Sequence, residues 1–244
     1  HADGSGAGVK PAAPASPLDP SAAVPLAQAP ALRSSERNVI TSQGRDVEVV
    51  LDLKHPRVVV LANVLTPEAC EELIELARGR LARSKTVARE SESLTEVNDA
   101  RTSEGMFFSR GEHPLVAELE ARLAELFNWP IDHAEGLQVL RYAPGAEYRP
   151  HFDHFDADSS GGRAAISRGG QRVGTIVVYL ATPEEGGATV FPDLGLQVRA
   201  QAGHAVFFAY DLSAGEPGVL HGGAPVLSGE KWVATKWLRE KTFK

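Results

Sequence analysis

Sulfur is nearly absent from this sequence, with one cysteine, Cys70, and one methionine in 244 residues. A lone cysteine cannot close an intrachain disulfide, build a thiolate zinc site or form a Cys-x-x-Cys redox pair. A reducing compartment, the cytoplasm, is the simplest expectation, although a disulfide-free periplasmic or secreted domain reads the same way. Long apolar runs are missing too. The longest, Val58 to Leu65, is broken by Asn63 and falls far short of the roughly 20 residues that a membrane-spanning helix needs. A net charge of -7 leaves no basic excess of the kind that general nucleic-acid binding requires. Neither nucleic acid nor membrane is therefore expected as a partner.

What remains is ordinary for a globular chain, at 43% hydrophobic and 23% charged residues. The length allows one large or two small domains and ample chain for a core. His1 to Ala31 stands apart, built from Ala, Pro, Gly and Ser, with prolines at 11, 14, 17, 20, 25 and 30. Such a segment cannot bury enough apolar surface to offset its chain entropy, so residues 1–31 read as a disordered or extended tail. A partner-binding proline-rich arm is the functional alternative. Residues 32–244 then form a single domain.

Within it, Val47–Leu53 and Arg57–Val64 have the Val- and Leu-rich texture of strands. Thr66-Pro67-Glu68 supplies a helix cap, a proline at the first helical position and an acid in the first turn. Ala69, Leu73, Leu76, Ala77 and Leu81 follow at helical spacing, and a second amphipathic helix starts near Pro114 with Leu115, Leu119, Leu123, Leu126 and Phe127. Between them Ser84–Ser103 is polar and aperiodic, a candidate mobile loop. After Trp129-Pro130 the pattern predicts no helix. Leu137–Tyr142, Tyr148–Asp153, Arg172–Leu180, Ala188–Phe191, His204–Tyr210 and Lys231–Leu238 all read as strands. Helices first and then a β body indicate an α+β domain around a sandwich or barrel.

Chemistry concentrates in Tyr148-Arg-Pro-His-Phe-Asp-His-Phe-Asp156, which holds two overlapping His-x-Asp pairs, His151/Asp153 and His154/Asp156. On a strand, residues two apart share a face, so either pair could present an imidazole beside a carboxylate. A bare His-x-Asp is more often surface polarity. A third donor, His221, stands at the end of a distant β segment. Two histidines and one carboxylate leave coordination positions open, which suits non-haem Fe(II) better than a closed structural zinc site. Lys231, ten residues further on, precedes Trp and Val at the start of a core strand. Alone, such a lysine snorkels to water. Beside a His-x-Asp…His pattern, a ligand carboxylate is the better account of it.

These residues and their surroundings resemble the iron and 2-oxoglutarate signature of the prolyl 4-hydroxylases. The likeness runs in order through Arg101-Thr-Ser-Glu-Gly, Leu137-Gln-Val-Leu-Arg-Tyr142, Tyr148-x-Pro-His-x-Asp153 and Gly169-Gly-Gln-Arg172. It continues through Glu184-Glu-Gly-Gly-Ala-Thr189 and His221-x-x-x-Pro-Val-x-x-Gly-x-Lys-Trp232, covering about residues 57 to 240. The family's histidine follows Tyr-x-Pro, so the resemblance assigns iron to His151, Asp153 and His221 and leaves His154 and Asp156 at the start of a loop.

The resemblance further implies a double-stranded β-helix, or jelly roll, with supporting N-terminal helices. Lys231 would pair with the distal carboxylate of 2-oxoglutarate, Thr189 would hydrogen-bond to it and Tyr142 would reach the same cosubstrate. Tyr148, Arg172 and Trp237 match positions that line a peptide groove. The implied reaction consumes O2 and 2-oxoglutarate, releases succinate and carbon dioxide, and hydroxylates C4 of prolyl residues in a peptide or protein, with ascorbate as a further candidate cofactor. The segments Ser84–Ser103 and Phe155–Gly170 are candidate lids. Two rival readings are the same chemistry on a free amino acid or another side chain, and a non-catalytic jelly-roll binding module. No oligomeric state is implied.

Overall fold

The computed structural model describes residues 29–33, 37–83, 101–210 and 219–244. The tail up to residue 28, and residues 84–100 of the segment read as a mobile loop, lie outside the described residues. Elements in the first half are β1 (Val39–Ser42), β2 (Arg45–Leu53), β3 (Val58–Ala62), α1 (Pro67–Arg78), β4 (Ala82–Arg83), β5 (Glu104–Phe108), α2 (Pro114–Leu126), β6 (Leu137–Tyr142) and β7 (Tyr148–His151). There follow α3 (Ser160–Ser167), β8 (Arg172–Tyr179), β9 (Glu185–Gly186), β10 (Thr189–Phe191), β11 (Leu196–Val198), β12 (Ala205–Ala209), β13 (His221–Gly223), β14 (Val226–Ser228) and β15 (Lys231–Arg239).

A nine-stranded sheet runs in the order β1-β2-β3-β12-β8-β15-β6-β5-β4, and a four-stranded sheet in the order β11-β10-β13-β7. The strand sequences show why the large sheet forms. Alternate residues enter two separate cores, so both faces are apolar and the strands read as nearly continuous hydrophobic runs. Val59, Leu61, Ile176, Val178, Phe207 and Ala234 meet the helices on one face. Val58, Val60, Tyr179, Val206, Phe208 and Val233 meet Phe191 and Val198 of the small sheet on the other. This two-layered arrangement is the expected jelly roll.

The outer face is covered by α1 and α2. Thr66 caps α1, its hydroxyl accepting from the Ala69 amide at 3.0 Å, and Cys70, Leu73, Ile74 and Ala77 form the buried stripe. Burial raises the Cys70 thiol to about 11, which leaves it an inert apolar filler. In α2 the ring Nδ1 of His113 takes the capping role, and Val116, Leu119, Leu123 and Leu126 are buried.

Two expectations need correction. The stretch Phe155–Gly170 is not a plain loop, because it contains α3, capped by the Ser159 hydroxyl. Its two glycines and lack of an apolar stripe hid it from the pattern. Gly162 is needed for close approach, since a Cβ there would lie 1.7 Å from the Asp156 carbonyl oxygen. The tail boundary also moves. Pro30 is buried, its carbonyl accepts from Arg57 at 2.8 Å, and the Ala31 amide donates to Phe127 at 3.2 Å. Strand β5 was not anticipated either, because it opens on Glu104-Gly105 at the end of a polar segment.

One charge pair lies inside the outer core. Lys236 of β15 donates to Glu120 of α2 at 2.5 Å, both side chains almost fully buried, and Glu120 also accepts from the Gly111 amide at 2.9 Å. Lys236→Met should destabilise the protein by about 3–5 kcal/mol, because Glu120 is left buried without its counter-charge. Replacing both residues with apolar ones should recover most of that loss in chemical denaturation. Equal losses in the single and double variants would show that the pair is not coupled.

Candidate active site

The small sheet brings the two expected histidines together. His221 of β13 is the direct register partner of His151 on β7, and their ring centroids lie 4.4 Å apart. Asp153 follows two residues after His151. Its Oδ1 stands 3.1 Å from His151 Nε2 and its Oδ2 stands 3.4 Å from His221 Nε2. One donor atom from each of the three residues lies within 4.8 Å of the others. His154 and Asp156 stay outside this cluster. Asp156 instead accepts from the Asp158 amide at 2.9 Å in the turn that leads into α3.

The tautomers follow from the backbone. His151 Nδ1 lies 2.8 Å from the Arg149 carbonyl and His221 Nδ1 lies 2.9 Å from the Val219 carbonyl. A carbonyl only accepts, so each Nδ1 carries the hydrogen and each Nε2 presents a lone pair. Burial lowers the pKa of His151, and Asp153 offsets this only in part. Burial opposes ionisation of Asp153, but positive charge at His221 and His151, carried by the rings when protonated, outweighs it and holds the carboxyl well below its ordinary value. Two imidazole lone pairs and a carboxylate thus converge with no hydrogen between them. That juxtaposition is unfavourable without a cation and fits a divalent metal with open positions, of the two-histidine, one-carboxylate kind that holds non-haem Fe(II).

The large sheet supplies the support. Thr175 of β8 and Trp237 of β15 are register partners, and both reach across to Asp153 Oδ2, Thr175 Oγ1 at 2.7 Å and Trp237 Nε1 at 3.0 Å. Trp237 was expected in a peptide groove. It does line the pocket, but its indole N–H is committed to the metal-binding carboxylate. Thr175 went unnoticed in the sequence because it sits inside a Val- and Ile-rich strand with nothing to separate it from packing.

From this cluster a pocket extends to Lys231, walled by Leu140, Tyr142, Val177, Thr189 and Val233. Lys231 is the register partner of Tyr142, and its Nζ lies 5.2 Å from the Tyr142 ring centroid and 6.0 Å from that of Tyr179. Burial lowers its pKa to about 8. Among the described residues no carboxylate lies within ion-pair distance of it, so the ammonium points into the pocket unanswered. Thr189 faces the same space, its hydroxyl held 2.6 Å from the Tyr179 hydroxyl.

Beside the metal cluster Tyr148 stacks on His151 with centroids 3.6 Å apart, and the Arg101 guanidinium lies 4.9 Å from the Tyr148 ring centroid. Arg101 also donates to Ser103 and Gln138, at 3.1 and 3.2 Å, and lines the pocket. Arg172 lies outside the pocket lining, against the Trp237 ring at 4.0 Å, its guanidinium held by both oxygens of Glu135 at 2.8 and 2.9 Å. Glu135 is shared with Arg239 at 2.8 Å. Burial opposes its ionisation, but Arg172 and then Arg239 outweigh it and hold the carboxyl below its usual pKa. Nothing in the sequence pattern separates Glu135 from an ordinary surface acid. Arg101 could be found only through its place in the Arg-Thr-Ser motif.

Residues 137–239 match the model of the 2OG-Fe(II) oxygenase superfamily. The chain is 37% identical over 211 residues to a protein of Arabidopsis thaliana named probable prolyl 4-hydroxylase 10, covering 78% of this chain and 71% of that one. It is 41% identical over 203 residues to prolyl 4-hydroxylase 1 of the same plant, covering 76% and 70%. Its fold is similar to the crystal structure of a viral collagen prolyl hydroxylase from Paramecium Bursaria Chlorella virus-1 in complex with 2OG. There the TM-score is 0.58 and the identity 30%, over 75% of this chain and 95% of that one. With identities of 37% and 41% over more than two thirds of each plant enzyme, the chain belongs to the prolyl 4-hydroxylase family of 2OG-Fe(II) oxygenases.

Proposed function

We propose that this protein hydroxylates prolyl residues of a peptide or protein at C4, using Fe(II), 2-oxoglutarate and O2. The observation that carries the reading is the pairing of two unsatisfied features in one pocket: three converging metal donors at one end and an unanswered buried ammonium at the other. A dicarboxylate that chelates the metal through one end and meets Lys231 with the other answers both. The same pairing disfavours a non-catalytic module, which has no use for either. When bound, Fe(II) couples decarboxylation of 2-oxoglutarate to insertion of one oxygen atom into a C–H bond, yielding succinate and carbon dioxide.

The chain's own residues bind and orient. His151, Asp153 and His221 hold the metal and leave positions free for cosubstrate and O2. Lys231 answers the distal carboxylate, with Thr189 beside it and Tyr142 beneath the ammonium. Leu140, Val177 and Val233 keep water from the cosubstrate, which strengthens that charge pairing. Tyr148 and Arg101 line the pocket beside His151, where a peptide would enter, and Arg172 packs on the Trp237 ring. Among the described residues no helix is long and apolar enough to cross a membrane. The test is succinate release and a 16 Da mass gain over a panel of proline-containing peptides, with free proline as comparison. Turnover of free proline alone would favour the small-molecule alternative.

His151→Ala, Asp153→Ala and His221→Ala should each abolish turnover and Fe(II) binding, while alanine at His154 or Asp156 should be mild. An inactive His154→Ala with an active His151→Ala would reverse the assignment of the two His-x-Asp pairs.

Lys231→Ala should raise the KM for 2-oxoglutarate steeply at nearly constant metal affinity, since losing one partner of a desolvated charge pair costs about 3–5 kcal/mol. The pH dependence follows from its lowered pKa of about 8. Below that pH the ammonium is present and cosubstrate affinity is flat. Above it the free enzyme loses the proton, and affinity falls about tenfold per pH unit. Lys231→Arg stays charged, so it should bind more weakly but without this alkaline fall. A flat alkaline profile in the parent enzyme would remove Lys231 from the cosubstrate site.

A further inference from the structure

We infer that Tyr210, acting through Thr175, is a positioning residue for the Asp153 carboxylate and so for the metal. The inference rests on His151, Asp153 and His221 being the metal ligands. The Tyr210 hydroxyl is in hydrogen-bond contact with Thr175 Oγ1, and Thr175 Oγ1 is 2.7 Å from Asp153 Oδ2. An ionised carboxylate has no hydrogen to give, so the single hydroxyl hydrogen of Thr175 points at Asp153. With that hydrogen spent, Thr175 can only accept from Tyr210. The relay therefore has one direction, from Tyr210 O–H to Thr175 O–H to Asp153, and each bond polarises the next.

The register of the large sheet builds this relay. Thr175 faces Phe208 on one side and Trp237 on the other, all three on the inner face. Tyr210 lies two residues beyond Phe208, on the same side, with its amide donating to the Val173 carbonyl at 3.1 Å. It is 2% exposed. A buried tyrosine that only filled space would leave its hydroxyl unpaired, and phenylalanine would serve there equally well.

The consequence lies in how the carboxylate shares its oxygens. Oδ2 takes both Thr175 and Trp237, which leaves Oδ1, the oxygen nearer His151 Nε2, as the freer ligand. Two donors on one oxygen hold the plane of the carboxylate. Loss of one lets it turn.

Co(II) is the probe, read on the full chain by its dissociation constant and visible absorption, with the thermal midpoint alongside. Thr175→Val should weaken Co(II) binding by about 10–100-fold and Tyr210→Phe by about tenfold, each with an altered spectrum, as removal of a ligand's outer partner does. Thr175→Ser should stay near the parent. The double variant Tyr210→Phe/Thr175→Val should bind no worse than Thr175→Val, because the effect of Tyr210 passes through Thr175. A Tyr210→Phe protein with unchanged affinity and spectrum, whatever its thermal midpoint, would overturn the relay. So would additive losses in the double variant. If His151→Ala still binds Co(II) normally, the metal assignment itself falls and this inference with it. If His151→Ala loses Co(II) while Tyr210→Phe does not, only the relay is lost.

Discussion

Strand β15 is buried along its whole length and yet carries three cations at positions 231, 236 and 239. Burying a charge is tolerated only where something answers it. Lys236, on the helix side, is answered by Glu120. Arg239 is answered by Glu135, which also holds Arg172. Lys231, on the pocket side, has aromatic rings near it but is answered by no carboxylate among the described residues. The same physical constraint that makes the first two structural makes the third a binding residue. Strand β15 has two of its three buried cations answered by acids and keeps the third for a ligand.

The two sheets divide the work. The small sheet presents the histidines, and the large sheet presents Lys231, Thr175 and Trp237. Asp153 lies between them, its oxygens 3.1 and 3.4 Å from the imidazole Nε2 atoms of the small sheet and accepting from the two large-sheet donors at 2.7 and 3.0 Å. Sheet-on-sheet packing, through Phe191 against Phe208 at 5.4 Å, is thus also what sets the metal site's dimensions. A core substitution there would be felt at the metal site as well as in the fold, because interiors are close-packed and transmit strain.

Much of this was readable from the sequence, and the reasons differ by element. The helices announced themselves through caps and stripes, and β8, β12 and β15 through apolar runs made continuous by burial on both faces. Of the site, the His-x-Asp pairs, His221 and Lys231 suggested a metal and a ligand carboxylate, but it was the family resemblance that singled out His151 and Asp153 over His154 and Asp156. Glu135, Thr175 and Tyr210 did not. Their roles depend on which strand lies opposite which, and register is a property of the assembled sheet rather than of any local pattern. Helix α3 was hidden for the opposite reason, since the glycine that weakens its pattern is there to let Asp156 approach.

The histidines show how little long-range information the metal site needs once the strands are paired. Each turns its Nδ1 to the carbonyl two residues before it in its own chain, Arg149 for His151 and Val219 for His221. The tautomer is therefore fixed locally, strand by strand, without a distant carboxylate to hold either ring. What tertiary structure must add is only proximity. Here Gly222 is decisive: a Cβ at that position would lie 2.8 Å from the Tyr148 carbonyl oxygen, so β13 can close on β7 only with glycine there. Phe208 at 4.3 Å from His221 and Tyr148 at 3.6 Å from His151 then hem in the two rings. With both imidazoles locked by their own backbone and their ring neighbours, the carboxylate is the ligand whose orientation is left to hydrogen bonds from elsewhere. The concentration of donors around Asp153 follows from that asymmetry.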